Sequence, residues 1–243
     1  MEQAVHISQV LKTLEQKQEE SQQPQDTSPV SQCDLTKIRT AILLGKSTRA
    51  NKAMGIPDRY RGKDLPVTKK AKYALDEVKK GNSLFLTGIT GSGKTHLAIA
   101  LMNAWLAENM VASEAGAFCP KGYPVFLPAV ELLLEIKASW REEENARAES
   151  EHKIMDKYSC KPLLLIDDLG AEKISEWSRV VVYLLIDRRY RECRQTIVTS
   201  NLSIEGIADK LDARIASRLS EMGSIIEMEN KDYRTLKRIQ EAR

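Results

Sequence analysis

Gly88-Ile89-Thr90-Gly91-Ser92-Gly93-Lys94-Thr95 follows a short apolar run, Ser83-Leu84-Phe85-Leu86-Thr87, and precedes a helical pattern, His96-Leu97-Ala98-Ile99-Ala100-Leu101-Met102. Strand, glycine-rich turn and helix form the context in which G-x-x-x-x-G-K-[ST] makes a phosphate-binding loop. Glycines let the backbone fold tightly and turn several N–H groups inward. The following helix adds its free N-terminal N–H groups and the positive end of its dipole. Lys94 is expected to reach the outer phosphates and Thr95 to ligate Mg²⁺ through its hydroxyl. All eight residues of the loop are therefore expected to bind a nucleoside triphosphate.

Downstream, Leu163-Leu164-Leu165-Ile166-Asp167-Asp168 is an apolar run ending in two acids, about 70 residues after the loop. It predicts a buried parallel strand with carboxylates at its C-terminal end, where ligands sit in open α/β sheets. Asp167 is placed to hold Mg²⁺, directly or through water, and Asp168 to orient or polarise an attacking water. The next strand is expected at 195–199, ending in Ser200-Asn201. The Asn201 amide would lie beside Asp167, within reach of a γ-phosphate or water; a helix N-cap is the other reading of the same residues. Between these strands, Val180–Ile186 has the composition of a strand. Ile174, Trp177, Val181, Leu184, Leu185 and Arg188 nevertheless recur every three or four residues, and a parallel sheet needs a crossover there, so 174–191 is predicted helical.

Further strands are expected at 124–127 and 224–228, helices over 35–54 and 66–80, and two short helices over 203–221. Residues 109–123 read as irregular. The charged run 141–152 reads as a solvated helix extension or an exposed loop. Arg214 and Arg218 are four apart and share a helical face, from which they could reach a neighbouring nucleotide.

At 243 residues, with 42% hydrophobic and 29% charged residues, the chain can bury a sizeable core. The net charge of +3 is uneven: residues 1–35 carry −4 and the remainder +7. A basic body with an acidic arm fits a nucleic-acid partner. Within 3–20, Ala4, Ile7, Val10, Leu11 and Leu14 form a one-sided helical stripe, followed by a Gln/Ser/Pro-rich linker over 16–32. Residues 1–32 are thus expected to be a docking arm, and 33–243 the nucleotide-binding domain with a helical lead-in at 33–80. Cys33, Cys119, Cys160 and Cys193 form no C-x-x-C pair and lie at no metal spacing from the three histidines, which argues against zinc and for reduced thiols in the cytoplasm. No signal peptide opens the chain, and no apolar run approaches the ~18 residues of a membrane span.

The order of these motifs resembles the AAA+ ATPases of the DnaC/DnaI helicase-loader and IstB transposition-helper group. The resemblance rests on Gly55-Ile56-Pro57-Asp58-Arg59-Tyr60-Arg61, Gly88–Thr95, Leu164–Gly170, Ile186-Asp187-Arg188-Arg189, Thr199-Ser200-Asn201, Arg214–Leu219 and Asp232-Tyr233-Arg234, and covers roughly residues 54–236. It implies a P-loop NTPase (AAA+) α/β fold with a parallel central sheet flanked by helices, and a helical lid that is missing or vestigial. It also implies that Asn201 is the sensor-1 residue. Arg218 would be the arginine finger, with Arg214 the weaker candidate, and Ile56 and Tyr60 would line the base pocket. Asp168 stands where many relatives carry glutamate, which implies slow hydrolysis. The expected function is ATP-dependent loading or regulation of a hexameric replicative helicase on single-stranded DNA. The arm would dock on the helicase, and the chain would self-associate through the ATP site. The alternative is an IstB-type transposition helper acting on duplex DNA; a small-molecule P-loop kinase is a third reading.

Overall fold

The computed structural model describes residues 32–62, 65–112, 118–120, 122–140, 144–171, 175–228 and 232–233. The expected docking arm, up to residue 31, and Arg234 lie outside the described residues.

Five parallel strands, β1 (Ser83–Thr87), β4 (Val125–Pro128), β5 (Leu163–Asp167), β6 (Gln195–Ser200) and β7 (Gly223–Glu227), form a sheet in the order β4-β5-β6-β1-β7. Helices α1 (Gln32–Leu43), α2 (Thr48–Met54), α3 (Lys69–Lys79) and α4 (Lys94–Glu108) cover one face. On the other lie α5 (Ala129–Ser139), α6 (Glu144–Ser159), α7 (Glu176–Arg191), α8 (Ile204–Lys210) and α9 (Ala213–Met222). Successive strand residues face opposite layers, as the period of two requires. Leu84, Leu86, Leu163, Leu165 and Ile197 enter the core under α1–α4. Phe85, Leu164, Ile166 and Val198 enter the core under α5–α9. Burial on both faces is why β1 and β5 read as near-continuous apolar runs.

The long helix expected at 35–54 is two helices. Gly45, at a φ of 62°, ends the first, and the Ser47 hydroxyl caps the second by accepting from Ala50 N at 3.3 Å. The stretch read as irregular contains an antiparallel hairpin, β2 (Met110–Ala112) with β3 (Phe118–Pro120). Strands of three residues are too short to show a period. Most of the charged run belongs to α6, where Arg147–Glu151 (2.9 Å) and Glu149–Lys153 (2.6 Å) pair at i,i+4. The Val180–Ile186 stretch is helical, within α7, and Ser175 with Ser178 forms a capping box at its start.

The end of the sheet away from the phosphate loop is tied by polar groups. Arg189 on α7 is fully buried and donates to the carbonyls of Tyr158, Ser159, Lys161 and Gln195 and to Thr196 Oγ1. Burial pushes its guanidinium down to about 9, so it remains a cation at neutral pH. At Gly223 the last strand meets β1 so closely that an added methyl would lie 1.8 Å from Ser83 O.

Glu77 on α3 accepts from Lys80 Nζ (2.8 Å), Asn82 Nδ2 (2.9 Å) and Ser224 Oγ (2.9 Å), joining α3, the turn into β1, and β7. These hydrogen bonds hold its carboxyl at about 2, below the ordinary 4.5. The folded value lies below the unfolded one. Its contribution to stability is therefore complete above the ordinary carboxylate range and lost as pH falls toward 2. Glu77→Gln is expected to flatten the acid side of the stability profile, measured as unfolding midpoints between pH 2 and 5. A variant as acid-sensitive as the parent would refute this role.

Candidate functional site

The loop between β1 and α4 turns through Gly91 and Gly93 at φ 82° and 92°, conformations that need no side chain. The turn brings Lys94, the first residue of α4, under the loop. Lys94 is 5% exposed, and its Nζ donates to Gly88 O (2.8 Å), Ile89 O (2.9 Å) and Asn201 Oδ1 (2.8 Å). The amine therefore spans from the loop to the tip of β6. Beside it, Thr95 Oγ1 donates to Asp167 Oδ1 at 2.9 Å, closing a 72-residue separation.

Thr199 supplies a link that the sequence reading missed. Its hydroxyl donates to Asp167 Oδ1 (2.7 Å) and accepts from Asp168 N (2.9 Å). Leu169 N donates to the Thr199 carbonyl at 2.9 Å. The turn after β5 is thereby fastened to β6, with Asp168 exposed at a φ of 55°. Burial pushes the Asp167 carboxyl above its ordinary value, and the Thr199 and Thr95 hydroxyls oppose that rise. The available signal was a hydroxyl residue inside a fully buried strand, where a polar group needs a partner.

These groups border a cavity of about 390 Å³ lined by Tyr60, Thr90, Gly91, Gly93, Lys94, Thr95, Asp168 and Asn201, and also by Arg59, His96 and Tyr233. The structure thus brings together most of the expected site residues. Ile56 is 5% exposed in the core under α1–α4 and does not line this cavity. Ser92 lies behind the loop on a second, adjoining cavity of about 630 Å³, lined among others by Pro66, Thr68, Ala71, Leu97 and Met228. Gly93, His96 and Tyr233 border both cavities. Ser92 Oγ is buried and, among the described residues, has no hydrogen-bond partner.

Arg214 and Arg218 lie elsewhere, on α9. Arg218 pairs with Asp187 on α7 at 2.7 Å, and Arg214 with Asp212 at 2.8 Å. Neither lines the cavity beside the loop.

An amine, inward-turned backbone, a helix start, and a hydroxyl–carboxylate pair at one end of a parallel sheet suit a polyphosphate and a hard cation. Among the described residues no three His, Cys, Asp or Glu side chains cluster as a metal site. Thr95 and Asp167 would thus furnish two oxygen ligands, and phosphates and water the others. A family of sequences described as IstB-like ATP binding protein matches residues 63–241, more than half of the chain. The chain belongs to the IstB-like ATP-binding family.

ATP binding comes with that membership, and the fold is that of a P-loop AAA+ protein. The replicative helicase loader DnaC of Buchnera aphidicola subsp. Baizongia pistaciae is 28% identical over 161 residues, 66% of this chain and 59% of that protein. The replicative helicase loader DnaC of Escherichia coli K12 is 27% identical over 152 residues, 62% of this chain and 55% of that protein. The chain therefore spans little more than half the length of these curated relatives. A crystal structure of the DnaC helicase loader superimposes with a TM-score of 0.57 at 24% identity, covering 71% of this chain and all of that one. At that identity the likeness is one of fold. No helix among the described residues is long and apolar enough to cross a membrane.

Proposed function

We propose that this IstB-family protein loads or regulates a hexameric replicative helicase on single-stranded DNA, with ATP binding and slow hydrolysis as an assembly switch. The observation that carries the switch is the linked set Lys94–Asn201 and Thr95–Asp167–Thr199–Asp168, which joins the loop to the tips of β5 and β6. A triphosphate arriving at the loop competes for the Lys94 amine. Asn201 is then released toward the γ-phosphate or the attacking water, and Asp168 orients that water. Mg²⁺, which neutralises phosphate charge, would be held by Thr95 and Asp167. The adjoining apolar cavity suits the base, because Gly93, His96 and Tyr233 border both spaces. Tyr60 then touches the nucleotide on its phosphate side. Arg218 is assigned to the triphosphate of an adjacent copy. The names of the DnaC relatives support the helicase partner, and the basic body supports the DNA.

The test is a pull-down of replicative helicase with the full chain and with residues 33–243, each in ATP and in ADP. The full chain in ATP is expected to capture the helicase, whereas the shorter chain should bind nucleotide alone. Equal capture by both would overturn docking through residues 1–32. A second reading, a transposition helper on duplex DNA, follows from the resemblance to the IstB group. It would be supported by capture of a transposase instead, together with ATPase stimulation by duplex rather than single-stranded oligonucleotides.

A further inference from the structure

Arg218 does not project loosely from α9. Its Nε donates to Oδ1 of Asp187 at 2.8 Å, and Nη2 pairs with the same carboxylate oxygen at 2.7 Å. Nη2 also donates to the Tyr183 hydroxyl at 3.1 Å, and Nη1 to Arg214 O at 3.3 Å. The guanidinium lies 4.9 Å from the Tyr183 ring centre, and that of Arg214 lies 4.3 Å from it. Asp187 is further fixed through Oδ2, which accepts from Arg191 Nε at 2.9 Å. The side chains of Asp187 and Arg218 are 13% and 22% exposed, so the pair is largely shielded from water while its edge is still reachable.

We propose that Asp187 is a positioning residue for Arg218. It holds the Nε–Nη2 edge of the guanidinium from behind and sets the orientation in which Nη1 meets the triphosphate of an adjacent copy. An unheld arginine would have to freeze its rotamers on each encounter, at an entropic cost that a fixed carboxylate removes in advance. The Tyr183 ring and hydroxyl add a second restraint on the same plane. Two exposed apolar residues of α7, Val180 and Leu184, flank Tyr183 in sequence. They give the adjoining surface an apolar character suited to a contact between copies. The inference rests on the assignment of Arg218 to the neighbour's nucleotide, and Asp187 touches no substrate itself.

The experiment is a double-mutant cycle on the steady-state ATPase of the full chain, with Arg218→Lys, Asp187→Asn and both together, over a range of protein concentrations. Arg218→Lys is expected to lower kcat on the order of 10²-fold. Asp187→Asn should lower it about tenfold, as loss of a charged hydrogen-bond partner does, with KM for ATP and monomer nucleotide affinity unchanged. The double variant should be little worse than Arg218→Lys. Asp187→Glu should recover part of the loss. If Arg218→Lys lowers kcat while Asp187→Asn does not, Asp187 has no positioning role and the finger assignment survives. If neither changes kcat, the finger assignment falls and this inference with it. If Asp187→Asn and Asp187→Glu lower kcat only in proportion to a lost unfolding midpoint, the role is structural and the proposal is overturned.

Discussion

Lys94→Ala is expected to weaken ATP binding about 10²-fold or more, the scale of hydrogen bonds made by a buried charge. The amine sits 5% exposed between two loop carbonyls and Asn201, so it is held beneath the loop. Alanine keeps the first turn of α4 but removes the amine together with its three hydrogen bonds. The fold without nucleotide should therefore lose about 1–3 kcal/mol, small enough to leave it folded. The separation appears when ligand is added. At ATP near 100 times its Kd the parent should gain roughly 2.7 kcal/mol of apparent stability, and the variant almost none. Calorimetric titration and ligand-dependent melting give two independent readouts. Undiminished affinity in the variant would sink the assignment of this loop.

The second large effect is expected at the other end of the sheet. Arg189→Met should destabilise the fold by about 3–5 kcal/mol, because several buried acceptors lose their donor at once. The four carbonyls and one hydroxyl that it serves belong to the end of α6, the approach to β5, and the start of β6. Methionine fills the space without donating. Arg189→Lys should rescue only part of the loss, since a single ammonium cannot present the planar fork that reaches acceptors on both sides. Urea unfolding of the two variants tests this directly. A methionine variant within about 1 kcal/mol of the parent would show that the guanidinium contributes little beyond its volume.

What the sequence made legible follows from period and punctuation. Buried strands in a doubly covered parallel sheet leave unbroken apolar runs, so Leu163–Asp167 and Ser83–Thr87 were visible before any geometry. The phosphate loop was legible because glycine spacing, lysine and threonine are each required by the same backbone turn. Short elements were not legible. The break at Gly45 lies inside an otherwise helical pattern, and the β2–β3 hairpin is shorter than the window in which alternation can be counted. Roles that depend on two distant residues were hidden as well. Asp187 and Thr199 could be quoted as parts of motifs, yet nothing local shows that one faces Arg218 and the other bridges Asp167 to the Asp168 amide. The same blindness applies to Ile56, which belongs to a motif and packs into the core.

The position of β1 in the sheet sets when the site can exist. Its two neighbours are β6 and β7, both made long after it: Ser83 Oγ accepts from Thr196 N across 113 positions, and Gly223 closes on Ser83 later still. A chain emerging from the ribosome through residue 190 would carry the complete glycine loop, Lys94 and both aspartates. It would still lack the strand that holds Asn201 and Thr199, and both partners of β1. Such long-range pairing makes assembly of the sheet slow and late. The loop and the side chains that complete the site therefore come together only after the β6 and β7 region has been synthesised.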